Sequence, residues 1–390
     1  MNLTLKILYV VLNNFTNDAR VLRAATTGLE LGGMCTVFAL HRSGLLESEN
    51  TGAVEIKRFR AITSLSSRNP LLRLLGYVHA LILMMVQGVR LHPDLVHAND
   101  LPALPLGFLI ARTTDAKLLY DSHELWADSR HRLLVPRWLF RMMRRTERFC
   151  ARRADAVITV SEGIADYMAK DFNIPKPVVV RNIPIASDER RIDRHVLKSA
   201  LAISAEVPLV LYQGGMTKGR DLITLIKAME RIKHPTGVLV FLGNGPLVPT
   251  LKTAAHETEI QERVFFHPEV PPDELCWWTQ DATLGICSIE GICLSYRLSL
   301  PNKLFEYIQA GLPVLVSDLP EMRRVVSRYG VGEIYAGGDV AELADKIDRI
   351  LCDPELREKY RQAAMVAAKT LHWGIEKETL MSVYQKLLLN

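Results

Sequence analysis

Leu300-Pro301-Asn302-Lys303-Leu304-Phe305-Glu306-Tyr307-Ile308-Gln309-Ala310-Gly311-Leu312-Pro313-Val314-Leu315-Val316-Ser317-Asp318 is the stretch on which the fold turns. Pro301 suits the first turn of a helix, where its missing N–H would go unpaired in any case. The amide donors freed at that helix start, with the Lys303 ammonium, make a site for a phosphate group. Glu306 follows one turn deeper. Gly311-Leu312-Pro313 stops the helix, and Val314 to Val316 reads as a short strand buried on both faces, as in a parallel sheet. At minimum this is a helix-to-strand unit of an α/β domain. The sharper reading has Lys303 and Glu306 grip the two ends of a nucleotide, cation to diphosphate and carboxylate to ribose hydroxyls.

Working outward, Leu209 to Tyr212 is a strand, and Gln213-Gly214-Gly215-Met216-Thr217-Lys218-Gly219-Arg220 is a glycine-rich loop opening a helix over 221–232. Gly214 and Gly215 let the backbone approach a phosphate, while Lys218 and Arg220 supply a point charge and a bidentate donor. A Walker A loop would end in Gly-Lys-Ser/Thr, which is missing. Strands over 238–242, 264–266 and 282–286 complete the alternation. It places Lys218, Arg220, Asn302, Lys303 and Glu306 at the C-terminal edge of one parallel sheet, a stronger signal than any one piece.

The first half alternates in the same way. A strand over 6–12, a polar loop over 13–18, a helix from about Ala19 and a strand over 34–40 form a right-handed crossover, which sets Asn17, Asp18 and Arg20 near the ligand edge. A capping Asp and a solvated Arg are the plainer alternative. The loop lacks the Gly-x-Gly-x-x-Gly dinucleotide fingerprint. Strands over 94–100 and 117–121 deliver His97, Asn99 and Asp100, then Asp121, His123 and Glu124, to their C-terminal ends, which points to function there. Further strands follow over 156–160 and 178–180. The polar stretch 186–193 has neither period and marks a linker, giving domains 1–187 and 188–372 with a last helix over 373–390.

The chain has 390 residues and is 48% hydrophobic, enough for two cores. Six cysteines without paired spacing argue for a reducing compartment and against a disulfide scaffold or zinc site. The apolar start fits a first strand better than a secretory signal, and no uninterrupted apolar run approaches a membrane span. The long apolar helix Pro70–Leu91 is expected to dock on the sheet, with a membrane interface as its alternative. Net charge is +5, and its distribution matters more. From Arg130 to Arg153 the chain carries Arg130, Arg132, Arg137, Arg141, Arg144, Arg145, Arg148, Arg152 and Arg153 against Glu147 alone, interleaved with Trp138, Phe140 and Phe149. This reads as a solvated basic face, or as a helix for an anionic lipid surface or phosphorylated acceptor; nucleic acid is the weakest option.

These residues together resemble the retaining glycosyltransferases of the two-Rossmann-domain type, family 4, also described as glycosyl transferases group 1. The resemblance rests on Asp18-Ala19-Arg20-Val21, Asp94 to Asp100, Tyr120 to Glu124, Gly214 to Leu222 and Pro301 to Asp318, and spans nearly the whole chain. It implies an α/β GT-B fold, two Rossmann-like doubly wound domains facing a cleft, with the C-terminal helix crossing back to the N-terminal domain. It also implies donor binding on the C-terminal domain and acceptor binding on the N-terminal one. Arg220 and Lys303 would then hold the diphosphate, Glu306 the ribose, and His123 would approach the sugar. Asn17, Asp18, Arg20, Asn99, Asp100 and Glu124 would line the acceptor side. The family commonly has a second glutamate eight positions before the ribose-binding one, and here that position is Leu298. Glu290 lies farther upstream. The implied reaction is a metal-independent front-face displacement from a nucleoside-diphosphate sugar, with no further cofactor, onto a cell-envelope glycan, polysaccharide or lipid-linked acceptor. The expected location is the cytoplasm or the inner face of the plasma membrane. A sugar-nucleotide epimerase of the same fold, or a non-catalytic homologue acting as a partner protein, stays open beside it.

Overall fold

The computed structural model describes residues 5–16, 18–63, 65–128, 136–186 and 195–388. The chain divides into two compact units, Met1–Arg181 with Glu376–Asn390, and Asn182–Ile375. That division falls just ahead of the expected 187/188 boundary, and nearly all of the polar stretch expected as linker lies outside the described residues.

In the first unit the chain runs β1 (Lys6–Val10), α1 (Ala19–Glu30), β2 (Met34–Leu40), β3 (Ser48–Thr51), β4 (Val54–Phe59), α2 (Pro70–Leu91), β5 (Leu95–Asn99), α3 (Asp100–Thr114), β6 (Lys117–Ser122), α4 (Arg137–Ala151), β7 (Ala156–Thr159), α5 (Glu162–Phe172) and β8 (Val178–Val179). The sheet order is β3-β4-β2-β1-β5-β6-β7-β8, parallel except for β3. Chain direction across the sheet therefore reverses between β1 and β5, the place where such sheets bind ligands. The β3–β4 hairpin was not anticipated; its edge strand Ser-Glu-Asn-Thr has no hydrophobic period to betray it.

α2 departs from expectation. It is long and apolar enough to cross a membrane by length and composition, yet few of its residues are buried. Those are Gly76, Ala80, Met84 and Gly88, one stripe at every fourth position. A Cβ on Gly88 would lie 2.6 Å from Ile110 Cδ1 of α3, so small residues let the two helices approach closely. The large side chains, Leu71, Leu74, Leu75 and Ile82 among them, face outward and are exposed.

On α4 the cations divide. Arg144 and Arg148 bind Asp171 of α5, and Arg152 donates to the Phe172 carbonyl oxygen. Arg137, Arg141, Arg145 and Arg153 are exposed, while Arg130 and Arg132 lie outside the described residues.

The second unit runs α6 (Val196–Ala200), β9 (Leu209–Gln213), α7 (Leu222–Arg231), β10 (Val238–Leu242), α8 (Val248–Glu257), β11 (Val264–His267), α9 (Leu275–Thr279), β12 (Leu284–Cys287), α10 (Leu294–Arg297), α11 (Asn302–Gln309), β13 (Val314–Ser317), α12 (Pro320–Tyr329), β14 (Gly332–Tyr335), α13 (Val340–Cys352) and α14 (Pro354–Ala368). Its six-stranded order, β11-β10-β9-β12-β13-β14, is parallel throughout and reverses between β9 and β12. Both faces are covered: along β9, Leu209 and Leu211 enter one core while Val210 and Tyr212 enter the other. The last helix, α15 (Trp373–Leu388), returns from Glu376 onward to the first unit. There Glu376 pairs with Arg181, and the Tyr384 hydroxyl lies 3.0 Å from that of Tyr9 in the core beside β1.

Candidate functional site

In the second unit β9 and β12 pair only at Val210↔Leu284 and Leu211↔Gly285. Beyond that the strands part, and the Tyr307 hydroxyl fills the gap. It accepts from the Gln213 N–H at 3.0 Å and lies 3.2 Å from the carbonyl oxygens of Leu211 and Ile286. Gly285 makes room for the ring, since a Cβ there would sit 2.4 Å from Tyr307 Cγ. Tyr307 thereby keys α11 to the sheet and carries its first turn to the ligand edge. Pro301 is the N-cap and no side chain caps the helix, so the leading N–H groups of Asn302 and Lys303 are available to an anion.

Lys303 is buried, and its ammonium lies 3.5 Å from the centroid of the Tyr212 ring. It makes no ion pair with a carboxylate among the described residues. Burial pushes its pKa down to about 7; Cys287 and Glu306 pull the other way, and the Arg220 cation pushes it further down. Glu306 accepts from Gln213 Nε2 at 2.6 Å, and the Thr279 hydroxyl donates to Gln213 Oε1 at 2.9 Å. The carboxylate is therefore held in place before any ligand arrives.

The loop after β9 borders the same edge. Gly214 has φ +104°, a backbone conformation in which a side chain would be strained. Gly215 carries no such demand. Lys218 is exposed in this loop. The Arg220 guanidinium lies 5.2 Å from the Tyr296 ring centroid and pairs with no carboxylate among the described residues. Its backbone is fixed by Ser288, whose hydroxyl donates to the Arg220 carbonyl oxygen at 2.7 Å. Two cations, a helix N-terminus and one oriented carboxylate thus share one sheet edge.

In the first unit, Arg20 is 3% exposed and grips Asp121 with two hydrogen bonds, Nε to Oδ2 at 2.9 Å and Nη2 to Oδ1 at 2.7 Å. Its remaining nitrogen donates to the Val180 carbonyl oxygen at 2.7 Å. Arg20 is accordingly not the solvated arginine of the plainer expectation: it is buried and positions Asp121. Asp18 caps α1, accepting from the Val21 N–H, and also accepts from Asn13 Nδ2 at 2.9 Å. Asn17 lies outside the described residues.

Asp121 serves two histidines, with its Oδ2 3.4 Å from His97 Nε2 and 3.2 Å from His123 Nε2. Burial opposes its ionisation, but Arg20 and then His123 hold it well below the usual carboxylate range. Fully buried His97 is held below its ordinary value by burial, against the pull of Asp121. His123 goes the other way. Burial disfavours its charged form, yet Asp100 and Asp121 overcome this and push it up to about 10, so it is an imidazolium at neutral pH. Asp100 also accepts the His123 N–H at 2.9 Å. Asn99 is buried with its Nδ2 3.3 Å from the Val10 carbonyl oxygen, and Glu124 is partly exposed just beyond β6. The sheet thus brings Asn99, Asp100, His123 and Glu124 together at one edge.

Comparison with known proteins covers both units. Residues 193–366 match the family described as Glycosyl transferases group 1, and residues 20–184 match Glycosyltransferase Family 4. The chain belongs to the family-4 glycosyltransferases. A D-inositol 3-phosphate glycosyltransferase of Xylanimonas cellulosilytica is 24% identical over 309 residues, 75% of this chain and 71% of the relative. Sucrose-phosphate synthase from Thermosynechococcus elongatus superposes with TM-score 0.83 at 16% identity, covering 99% of each chain. The Anabaena protein HepE in complex with UDP-glucose superposes with TM-score 0.75 at 15% identity, covering 98% of this chain and 99% of that one. The fold is GT-B.

Some of this glycosyltransferase's site lay beyond sequence reasoning. Gln213, Thr279 and Tyr212, which orient Glu306 and Lys303, carry no motif signal; only Gln213 stands inside the glycine-rich stretch. Leu298, at the position of the missing glutamate, ends the short helix α10. Glu290 instead braces the glycine loop: its N–H donates to the Gly219 carbonyl oxygen at 3.0 Å, and its carboxylate accepts from the Asp221 N–H at 3.3 Å.

Proposed function

We propose that this glycosyltransferase takes its sugar from a nucleoside-diphosphate sugar held at the β9–β12 edge, and transfers it to a cell-envelope glycan, polysaccharide or lipid-linked acceptor. In this reading the configuration at the anomeric carbon is retained, and neither metal nor further cofactor takes part. The single observation that carries it is the pair Lys303 and Arg220, two cations without carboxylate partners beside the free N–H groups of α11. Such a site favours a dianionic leaving group, and it stabilises the charge that develops as the diphosphate departs. The cations and the helix N-terminus do the work a divalent ion would otherwise do. Glu306, held by Gln213, is placed for the ribose hydroxyls. Support for the donor class comes from the HepE structure, whose ligand is UDP-glucose.

On the first unit, His123, Asn99, Asp100 and Glu124 are proposed to meet substrate hydroxyls. His123, a fixed imidazolium between two carboxylates, is a hydrogen-bond donor and a poor base. The six free thiols fit action in the cytoplasm or at its membrane face.

The deciding experiment presents a panel of sugar nucleotides to the protein in the presence of a metal chelator and follows release of nucleoside diphosphate. Slow release that disappears in Lys303→Ala is the expected result. Epimer formation without acceptor would establish the second reading, and failure of every sugar nucleotide to raise the melting temperature would leave a non-catalytic homologue.

A further inference from the structure

Helix α2 turns its small residues inward and its large apolar ones outward, the reverse of a helix packed on a soluble core. Leu71 is 69% exposed, Leu74 59%, Leu75 58% and Ile82 56%. The face carries no acidic residue. Arg68 and Arg73 near its start and Arg90 near its end are exposed and pair with no carboxylate among the described residues. Leu109 of α3 and Trp138 and Met142 of α4 are exposed as well, as are Arg141 and Arg145 of α4. A greasy face framed by unpaired arginines is complementary to one kind of partner, an anionic lipid surface. The close seat of Gly88 on Ile110 fixes the helix along α3.

Beside the first half of α2 opens a cavity of about 840 Å³ at the C-terminal ends of β1, β2 and β4. Its wall includes Tyr77 of α2 with Ile62 and Leu65, and also Arg42, Arg60 and Asn14. Arg42 meets no carboxylate among the described residues, whereas Arg60 is paired with exposed Glu47. The cavity therefore joins Tyr77 of α2 to Arg42 and Asn14 at the ligand edge of the sheet.

We propose that α2 lies along an anionic bilayer with its outward face in the interface, and that the adjoining cavity takes the anionic head of a bilayer-anchored acceptor. The acceptor part rests on the glycosyltransferase reading above; the docking part does not. It follows that the acceptor need not leave the membrane to be glycosylated, since its chains can stay beside α2 while its head enters between Tyr77 and Arg42.

The test is sedimentation of the full chain with vesicles of phosphatidylcholine alone and of phosphatidylcholine with phosphatidylglycerol. Wild type should partition onto the mixed vesicles and only weakly onto the neutral ones. Leu74→Ser/Ile82→Ser should lower partitioning at least roughly tenfold, given the apolar area removed. Arg42→Ala should keep partitioning and lose the thermal shift caused by soluble dioctanoyl phosphatidylglycerol. The sugar-nucleotide thermal shift, read on every variant, reports an intact second unit and tests the donor assignment separately. Equal partitioning of wild type and Leu74→Ser/Ile82→Ser would overturn the docking surface. So would a concentration-dependent dimer dispersed by the same substitutions, because a second copy would then be what covers α2. An unchanged lipid shift in Arg42→Ala would overturn the head-group site.

Discussion

The ammonium of Lys303 rests 3.5 Å from the centre of the Tyr212 ring, and no carboxylate among the described residues forms an ion pair with it. An aromatic face attracts a cation but does not neutralise it. Replacing Lys303 with Ala should therefore remove stabilisation of the departing diphosphate without unfolding anything. By analogy with other preorganised donors the loss in kcat/KM is about 10²- to 10³-fold. Steady-state kinetics beside a melting curve checks both halves of that statement.

Lys303 and His123 impose opposite pH slopes on their two units. The Lys303 pKa of about 7 lies below its unfolded value, so between about pH 7 and 10 the unfolded chain binds more protons and the second unit gains stability as pH rises. The His123 pKa of about 10 lies above its unfolded value. Its contribution is complete below about pH 6.5 and is lost as pH climbs toward 10. Unfolding followed across that range should show the falling slope vanish in His123→Asn and the rising slope vanish in Lys303→Met. Donor affinity has its own signature. It should fall above pH 7 as Lys303 loses its charge, and titration calorimetry at several pH values would reveal a flat profile if Lys303 were not the ligand.

Arg20→Ala should destabilise the first unit by about 3–5 kcal/mol, because it leaves the Asp121 carboxylate buried with only His123 as a close cation. Adding Asp121→Asn should recover part of that loss. Urea denaturation of the single and double variants measures the coupling.

Thr279→Val removes the donor that orients Gln213 and so loosens Glu306. One such hydrogen bond contributes about 1 kcal/mol, so KM for the donor should rise about fivefold with kcat nearly unchanged. A fall in kcat at constant KM would place Glu306 at the reacting centre instead.

The alternation of strands and helices and the sheet edge carrying Lys303 and Glu306 were legible because buried parallel strands and glycine stops write themselves into local sequence. Arg20 was not legible as a buried partner. Its carboxylate is Asp121, which only the juxtaposition of α1 and β6 brings near. The burial of α2 was misjudged because total hydropathy does not say which side of a helix is covered. The clue was present in Gly76, Ala80 and Gly88 at four-residue spacing, a stripe that permits close approach while leaving the bulky residues outside. The β3–β4 hairpin escaped because a short polar edge strand resembles a loop in every respect but its pairing.

Tyr384 on α15 lies 2.9 Å from His97 Nδ1 and 3.0 Å from the Tyr9 hydroxyl, at the centre of the first unit. Nearly two hundred residues of the second unit separate it from the rest of that core in the chain. On a ribosome adding about 5–20 residues per second, the completed first 181 residues must wait roughly 10 to 40 s for this partner. During that interval the second unit can complete its own sheet, while the first lacks the helix that closes its core. The chain's first strand is thus among the last parts of the molecule to be sealed, and a chain released at residue 375 would carry one complete domain attached to one open one.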